Sequence, residues 1–342
     1  MSVALISHPD FARHDTGDHP ERAARWERTW AALEGLGLRV VTPGPIARDV
    51  RALVHPDAHA ERIQAFCQAG GGRLDEDTVA SEASYDVALL SAGAAIAAVD
   101  EAMAGHAAVA LGRPPGHHAL ENETMGFCFF NNAALAARYA QTRHGLQRVA
   151  ILDWDLHHGN GTEAIFYNDP TVLYMSTHQH PNWPGTGRPT DVGTGAGTGF
   201  NANVPLPMGT GLAGYKRAFE EVFRPILAEF RPELVILSAG YDAHWRDPLG
   251  RMGLTVAGFA ELTREVQSWA DTWAQGRLVA VMEGGYDLEA LSESMLATVQ
   301  ALRGEPVEDT LGPSPYPEPT AEVDRAIAEA KTALAPHWKT LT

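Results

Sequence analysis

Asp153, Asp155 and His157 occupy alternate positions in the stretch Asp153-Trp-Asp-Leu-His-His-Gly-Asn-Gly-Thr162. If the chain runs extended here, residues two apart face the same side, and Asp155 and His157 reach one cation. Asp242, at the end of Ser238-Ala-Gly-Tyr-Asp, is the expected third ligand. Two carboxylates and one imidazole suit Zn²⁺ with a position left for water. Fe²⁺ or Co²⁺ could fill the same set, because affinity alone does not choose the metal. The plainer alternative is a pair of aspartates capping a helix that starts within 158–163, with His157 packed beside it. Asp153 reads either as a buried carboxylate paired with Arg148 or a backbone donor, or as a carboxylate that orients a catalytic histidine.

His117-His118 follows the rigid turn Pro114-Pro-Gly116. An imidazole there could take a proton from water and return one to a leaving amine. Tyr286 follows Gly284-Gly285, where a phenol could swing in and donate to an oxyanion. Together these groups fit metal-assisted hydrolysis of an amide. No Gly-x-Ser-x-Gly elbow, phosphate-binding loop or His-Glu-x-x-His helix supports another chemistry.

These residues must be carried by something rigid. Short apolar runs at 3–7, 37–42, 106–111, 148–153, 171–176, 234–238 and 278–283 read as strands buried on both faces. Ala-rich stretches at 86–104, 132–144, 213–230 and 256–275 carry helical spacing between them. This alternation predicts a single doubly wound α/β domain over 1–342. The Pro-rich segment 305–320 reads as a connector to a last helix at 321–335, a packed tail. Each polar cluster follows a strand, and ligands bind at the carboxyl ends of such strands.

Forty-five per cent of the 342 residues are hydrophobic, enough for a large core without cross-links. Cys67 and Cys128, the two cysteines, make neither a disulfide framework nor a thiolate metal cluster. A net charge of −17 argues against nucleic acid and is compatible with cationic partners. No run of about 20 apolar residues predicts a membrane span. The start of the chain lacks a basic segment and a cleavage pattern, so a cytoplasmic protein is expected. Whether it forms a homo-oligomer is left open.

Six ordered motifs resemble the histone deacetylase superfamily, in its class II and bacterial branch. They are Arg113-Pro-Pro-Gly-His-His-Ala119, Gly126-Phe-Cys-Phe-Phe-Asn-Asn132, the Asp153–Thr162 stretch, Ser238–Asp242, Asp247-Pro-Leu249 and Glu283-Gly-Gly-Tyr286. The resemblance runs from about residue 5 to 300. It implies the arginase–deacetylase α/β fold, a mostly parallel sheet of eight strands flanked by helices. It matches Asp155, His157 and Asp242 to the zinc ligands, His117 and His118 to the catalytic pair, and Tyr286 to the oxyanion donor. Asp153 matches the first histidine's partner and Asn160 the second's. A neutral amide fixes a tautomer without stabilising imidazolium as a carboxylate would, so His118 is expected to stay neutral more readily.

The resemblance also implies structural K⁺. Asp153, Asp155, His157, Ser176 and Thr177 match an inner site, and Phe166, Asp169, Val172 and Phe200 an outer one. Gly126, Phe127, Trp183 and Leu249 match the substrate channel, with Trp183 where Phe is usual. Arg25, in the rim motif His19-Pro-Glu-Arg-x-x-Arg25, matches an inner exit channel. Asp77 lies near where some relatives hold the substrate backbone. Acylated lysine is the expected substrate, with a small acylated amine as the alternative. Polyamine-selective vertebrate relatives place Glu where Leu249 stands, and polyamine enzymes often carry an insertion absent between Ile6 and His19. An arginase-like two-metal enzyme would need a second Asp-x-Asp where Asp242-Ala-His244 stands.

Overall fold

A computed structural model describes residues 2–341; Met1 and Thr342, the ends of the expected 1–342 span, lie outside the described residues. Eight strands form one sheet: β1 (Val3–Ile6), β2 (Arg39–Val41), β3 (Ala107–Ala110), β4 (Val149–Asp153), β5 (Val172–Gln179), β6 (Asn201–Leu206), β7 (Leu234–Ala239) and β8 (Leu278–Met282). Their order is β2-β1-β3-β8-β7-β4-β5-β6, and every pair is parallel. The central strands are buried along their whole length, as their aliphatic composition requires when helices cover both faces.

Seven strands fall on the expected runs; β6 does not. Its sequence Asn-Ala-Asn-Val-Pro-Leu lacks an apolar run, and Pro205 suits only an edge. Asn201 and Asn203 are held there because both amides donate to Glu163 Oε2 at 2.7 Å. The last helix, Thr320–Leu334, packs on this edge strand and covers it. The stretch 212–230 is two short helices joined by a π-helical turn at Phe219–Phe223, rather than one regular helix. Helix Asn132–His144 starts on the Asn131 side chain, which accepts from the Ala134 N–H, and ends on left-handed Gly145.

One buried ion cluster ties the N-terminal rim to the sheet edge. Arg113, following β3, donates Nε and Nη2 to the two Glu21 carboxylate oxygens at 2.8 and 2.7 Å. Its Nη1 serves the carbonyls of Phe11 and His14. Burial alone would raise the Glu21 carboxyl; Arg113 and His14 hold it well below the usual range. Arg113→Met would leave a buried carboxylate short of charge and is expected to cost about 3–5 kcal/mol. Urea unfolding checks this, and a loss within the range of a surface pair, under about 1 kcal/mol, contradicts it.

Candidate active site

The carboxyl ends of β3, β8, β7 and β4, neighbours in the sheet, carry the candidate site residues. The chain is not extended beyond Asp153, contrary to the expectation from alternate spacing. Asp153 Oδ1 accepts from the Asp155 N–H at 3.1 Å, and Asp155 Oδ1 accepts from the His157 N–H at 2.9 Å. Successive carboxylate-to-backbone turns therefore curl the segment and bring Asp155 and His157 together. Helix Asn160–Phe166 begins after Gly159 with no side-chain cap, so the aspartates are not helix caps. Asp153 meets His117 and Tyr174 at 3.0 and 3.1 Å; Arg148 instead pairs with Glu233.

Asp155, His157 and Asp242 place three ligand atoms within 4.8 Å of one another, the one such group among the described residues. His157 Nδ1 lies 2.9 Å from Asp242 Oδ2 and 3.4 Å from Asp155 Oδ1. The cluster calls for positive charge at its centre. Burial pushes Asp242 up to about 7, helped by Asp155. Burial works against charge on His157 too, but its bonds to Asp155 and Asp242 lift it to about 10. The space is built for the carboxylates as well: a Cβ on Gly240 would stand 2.0 Å from Asp155 Oδ2, and one on Gly284 2.5 Å from Asp242 Oδ2. Gly284 therefore makes room for the ligands, not only for movement of Tyr286. A buried N/O set with a shared excess of negative charge fits a divalent cation.

The two adjacent histidines are pushed apart in acidity. Burial lowers both, but Asp155 and Asp153 outweigh it at His117, which is raised well above an ordinary imidazole. At His118 burial is reinforced by His117 and His157, and the ring is held well below the ordinary value. His118 Nδ1 meets Asn160 Oδ1 at 2.8 Å, so the neutral amide fixes the tautomer and leaves Nε2 free to accept. Asn160→Asp would add a carboxylate at Nδ1 and raise His118. A base must be deprotonated to work, so the acid limb of kcat/KM is expected to move up by about 1–3 pH units. A pH–rate profile that does not move contradicts the assignment.

Above these groups lies a hollow of about 190 Å³ lined by Phe127, Trp183, Leu249, Tyr286, Gly126 and Asp77. Gly126 has a φ of 57°, and a Cβ there would stand 2.4 Å from His118 and 2.6 Å from Trp183. Only glycine lets the walls approach this closely. The Trp183 ring stands edge-on to His118 at 4.7 Å, and Phe127 to Tyr286 at 5.6 Å. Burial pushes the Tyr286 phenol well up, against the pull of Arg25, so it remains an O–H donor. Arg25 is not on the channel wall. Fully buried, it sits behind the Tyr286 ring at 4.9 Å, and its Nε donates to the Gly285 carbonyl at 2.7 Å.

The sequence profile of the histone deacetylase domain matches residues 19–302. The chain belongs to the histone deacetylase family. It is 46% identical over 304 residues to the histone deacetylase-like amidohydrolase of Pseudomonas aeruginosa, covering 87% of this chain and 79% of that one. It is 38% identical over 366 residues to human polyamine deacetylase HDAC10, covering 100% of this chain and 53% of that protein. The crystal structure of the HDA15 HD domain superposes with a TM-score of 0.89 at 33% identity, over 99% of this chain and 97% of that one.

This deacetylase domain also uses residues that the sequence did not single out. His55 accepts the Asn131 N–H on Nε2 at 2.8 Å and donates from Nδ1 to the Glu121 carbonyl. The Asn131 amide in turn donates to the carbonyl of Ala119, just past His117 and His118. Glu283 Oε2 accepts the N–H groups of Gly116 and His117 at 2.7 and 3.1 Å. Asp247 accepts the backbone N–H groups of Tyr286 and Leu249 at 2.7 and 3.0 Å, joining two walls of the hollow. The signal for Glu283 and Asp247 was their place inside the quoted motifs; His55 left none. No helix among the described residues is long and apolar enough to cross a membrane.

The positions matched to monovalent cations fall in two groups. Ser176 is the register partner of Asp153, and the buried Thr177 Oγ1 beside it has no hydrogen-bond partner among the described residues. Phe166, Asp169 and Val172 lie on the turn between helix Asn160–Phe166 and β5, and the Phe200 carbonyl accepts from Tyr174. Asp169 itself is paired with Arg138.

Proposed function

We propose that this chain is a zinc-dependent amidohydrolase that removes acetyl or other short acyl groups from acyl-lysine-type substrates. The observation that carries the reading is one hollow whose walls are Phe127 and Trp183 and whose floor holds His118, His157 and Tyr286. Zn²⁺ held by Asp155, His157 and Asp242 supplies Lewis acidity and makes a nearby water more acidic. His118, neutral and directed by Asn160, takes the proton from the attacking water. Tyr286 donates its O–H to the carbonyl oxygen as negative charge develops. His117, pushed up by Asp155 and Asp153 and held by Asp153 at 3.0 Å, stands beside that charge, and a histidine of the pair returns the proton to the departing amine. The acyl-lysine methylenes lie against Phe127 and Trp183. Ser176 and Thr177, with Asp153, Asp155 and His157, hold an inner K⁺ that stiffens the strand ends; Phe166, Asp169, Val172 and Phe200 hold an outer one. The expected compartment is the cytoplasm.

A second reading, an acetylated polyamine as substrate, is favoured by Asp77 on the channel mouth with Asp75 beside it. Leu249 weighs against it, bringing no carboxylate to a distant ammonium. Acetate release from an acetyl-lysine peptide, acetylputrescine and acetylspermidine, run side by side, decides. Faster peptide turnover supports the proposal, and a strong polyamine preference replaces the substrate while keeping the reaction.

A further inference from the structure

Beside the channel the chain holds a second, open hollow of about 730 Å³, and Tyr286 is a wall of both. Its rim carries Arg22, Arg28 and Arg246 against Asp287 and Glu289. These charges are unevenly used. Arg246 engages both acids, with Nη1 2.8 Å from Glu289 Oε2 and Nε 3.4 Å from Asp287 Oδ2. Asp287 Oδ1 is taken by the N–H groups of Glu289 and Ala290 at the start of helix Leu288–Leu302. Arg22 and Arg28 are exposed and have no side-chain hydrogen bond or ion pair among the described residues. They flank Arg25 at three-residue spacing, and Arg25 is anchored under the Tyr286 ring. Two unpaired guanidinium groups thus stand in a concave wall next to the oxyanion donor, on a chain whose net charge is −17.

We infer that this hollow is an anion subsite for the substrate: it takes the carboxylate of an Asp or Glu that flanks the acyl-lysine, and so selects an acidic sequence context. The inference rests on the amide-hydrolase reading above. A guanidinium presents a fork of donors matched to a carboxylate, so Arg22 and Arg28 recognise the flanking side chain by charge and geometry. A polyamine offers no carboxylate to Arg22 and Arg28.

The test uses three acetyl-lysine peptides that differ only in Glu, Gln or Lys on both sides of the acetyl-lysine. Wild type is compared with the double variant Arg22→Glu, Arg28→Glu and with the milder Arg22→Gln, Arg28→Gln. In wild type at low salt, kcat/KM is expected to be about three- to tenfold higher for the Glu peptide than for the Lys peptide, mainly through KM. The charge-reversed variant is expected to invert the order, the glutamine variant to flatten it, and high salt to shrink it. The Gln peptide should be turned over equally by all three proteins. The same order in wild type and both variants overturns the subsite. If wild type turns over none of the peptides, the reaction assignment fails instead. Fluorescence anisotropy of the labelled peptides then decides the subsite alone: tighter binding of the Glu peptide to wild type than to the reversed variant supports it, and equal binding overturns it.

Discussion

His118→Ala is expected to lower kcat for an acetyl-lysine peptide by about 10²–10⁴-fold, the usual contribution of a positioned general base. The expectation follows from how the ring is held. Asn160 fixes its tautomer at 2.8 Å, and burial with two neighbouring imidazoles keeps it neutral. Its neighbour His117 is instead engaged by Asp153, with Nδ1 3.0 Å from Oδ2, and Asp155 and Asp153 push that ring toward the charged form. The ring is also packed between His117 at 3.9 Å and Trp183 at 4.7 Å, so the melting temperature should be measured beside the rate. A folded variant that retains more than a tenth of wild-type kcat would remove His118 from the base role.

Tyr286→Phe is expected to cost about 10²–10³-fold in kcat, as for loss of one oxyanion donor. The change removes a single oxygen. The ring contacts with Phe127 at 5.6 Å and Arg25 at 4.9 Å remain, so KM should change little. Asp247 still holds the Tyr286 backbone N–H, which keeps the loop in place. A rise in KM at constant kcat would mean that the phenol binds substrate and does not stabilise developing charge.

The candidate site residues were legible because each follows an aliphatic strand, and parallel strands deliver their carboxyl ends to one edge. Asp155, His157 and Asp242 could be named on that ground alone. The reason for their meeting could not. Alternate spacing suggested an extended chain, whereas the aspartates capture backbone N–H groups two residues on and curl it. β6 was hidden because its asparagine amide N–H groups are held by Glu163, a partner 38 and 40 residues away, and not by any local apolar pattern. His55 was hidden for the same reason: its bond to Asn131 spans 76 residues. Arg25 was expected at an exit channel, and its place behind Tyr286 depends on carbonyls after β8, again far along the chain.

Metal dependence at Asp155, His157 and Asp242 is the claim on which the rest of the account stands, and it is tested by stripping the protein with a chelator and titrating Zn²⁺ back. Acetate release from the acetyl-lysine peptide and the melting temperature are followed together. Activity is expected to fall to background in the stripped chain and to return as a single Zn²⁺ binds. Asp242→Asn, treated in the same way, is expected to recover neither activity nor the rise in melting temperature. Full activity in a chain shown to be metal-free would contradict it.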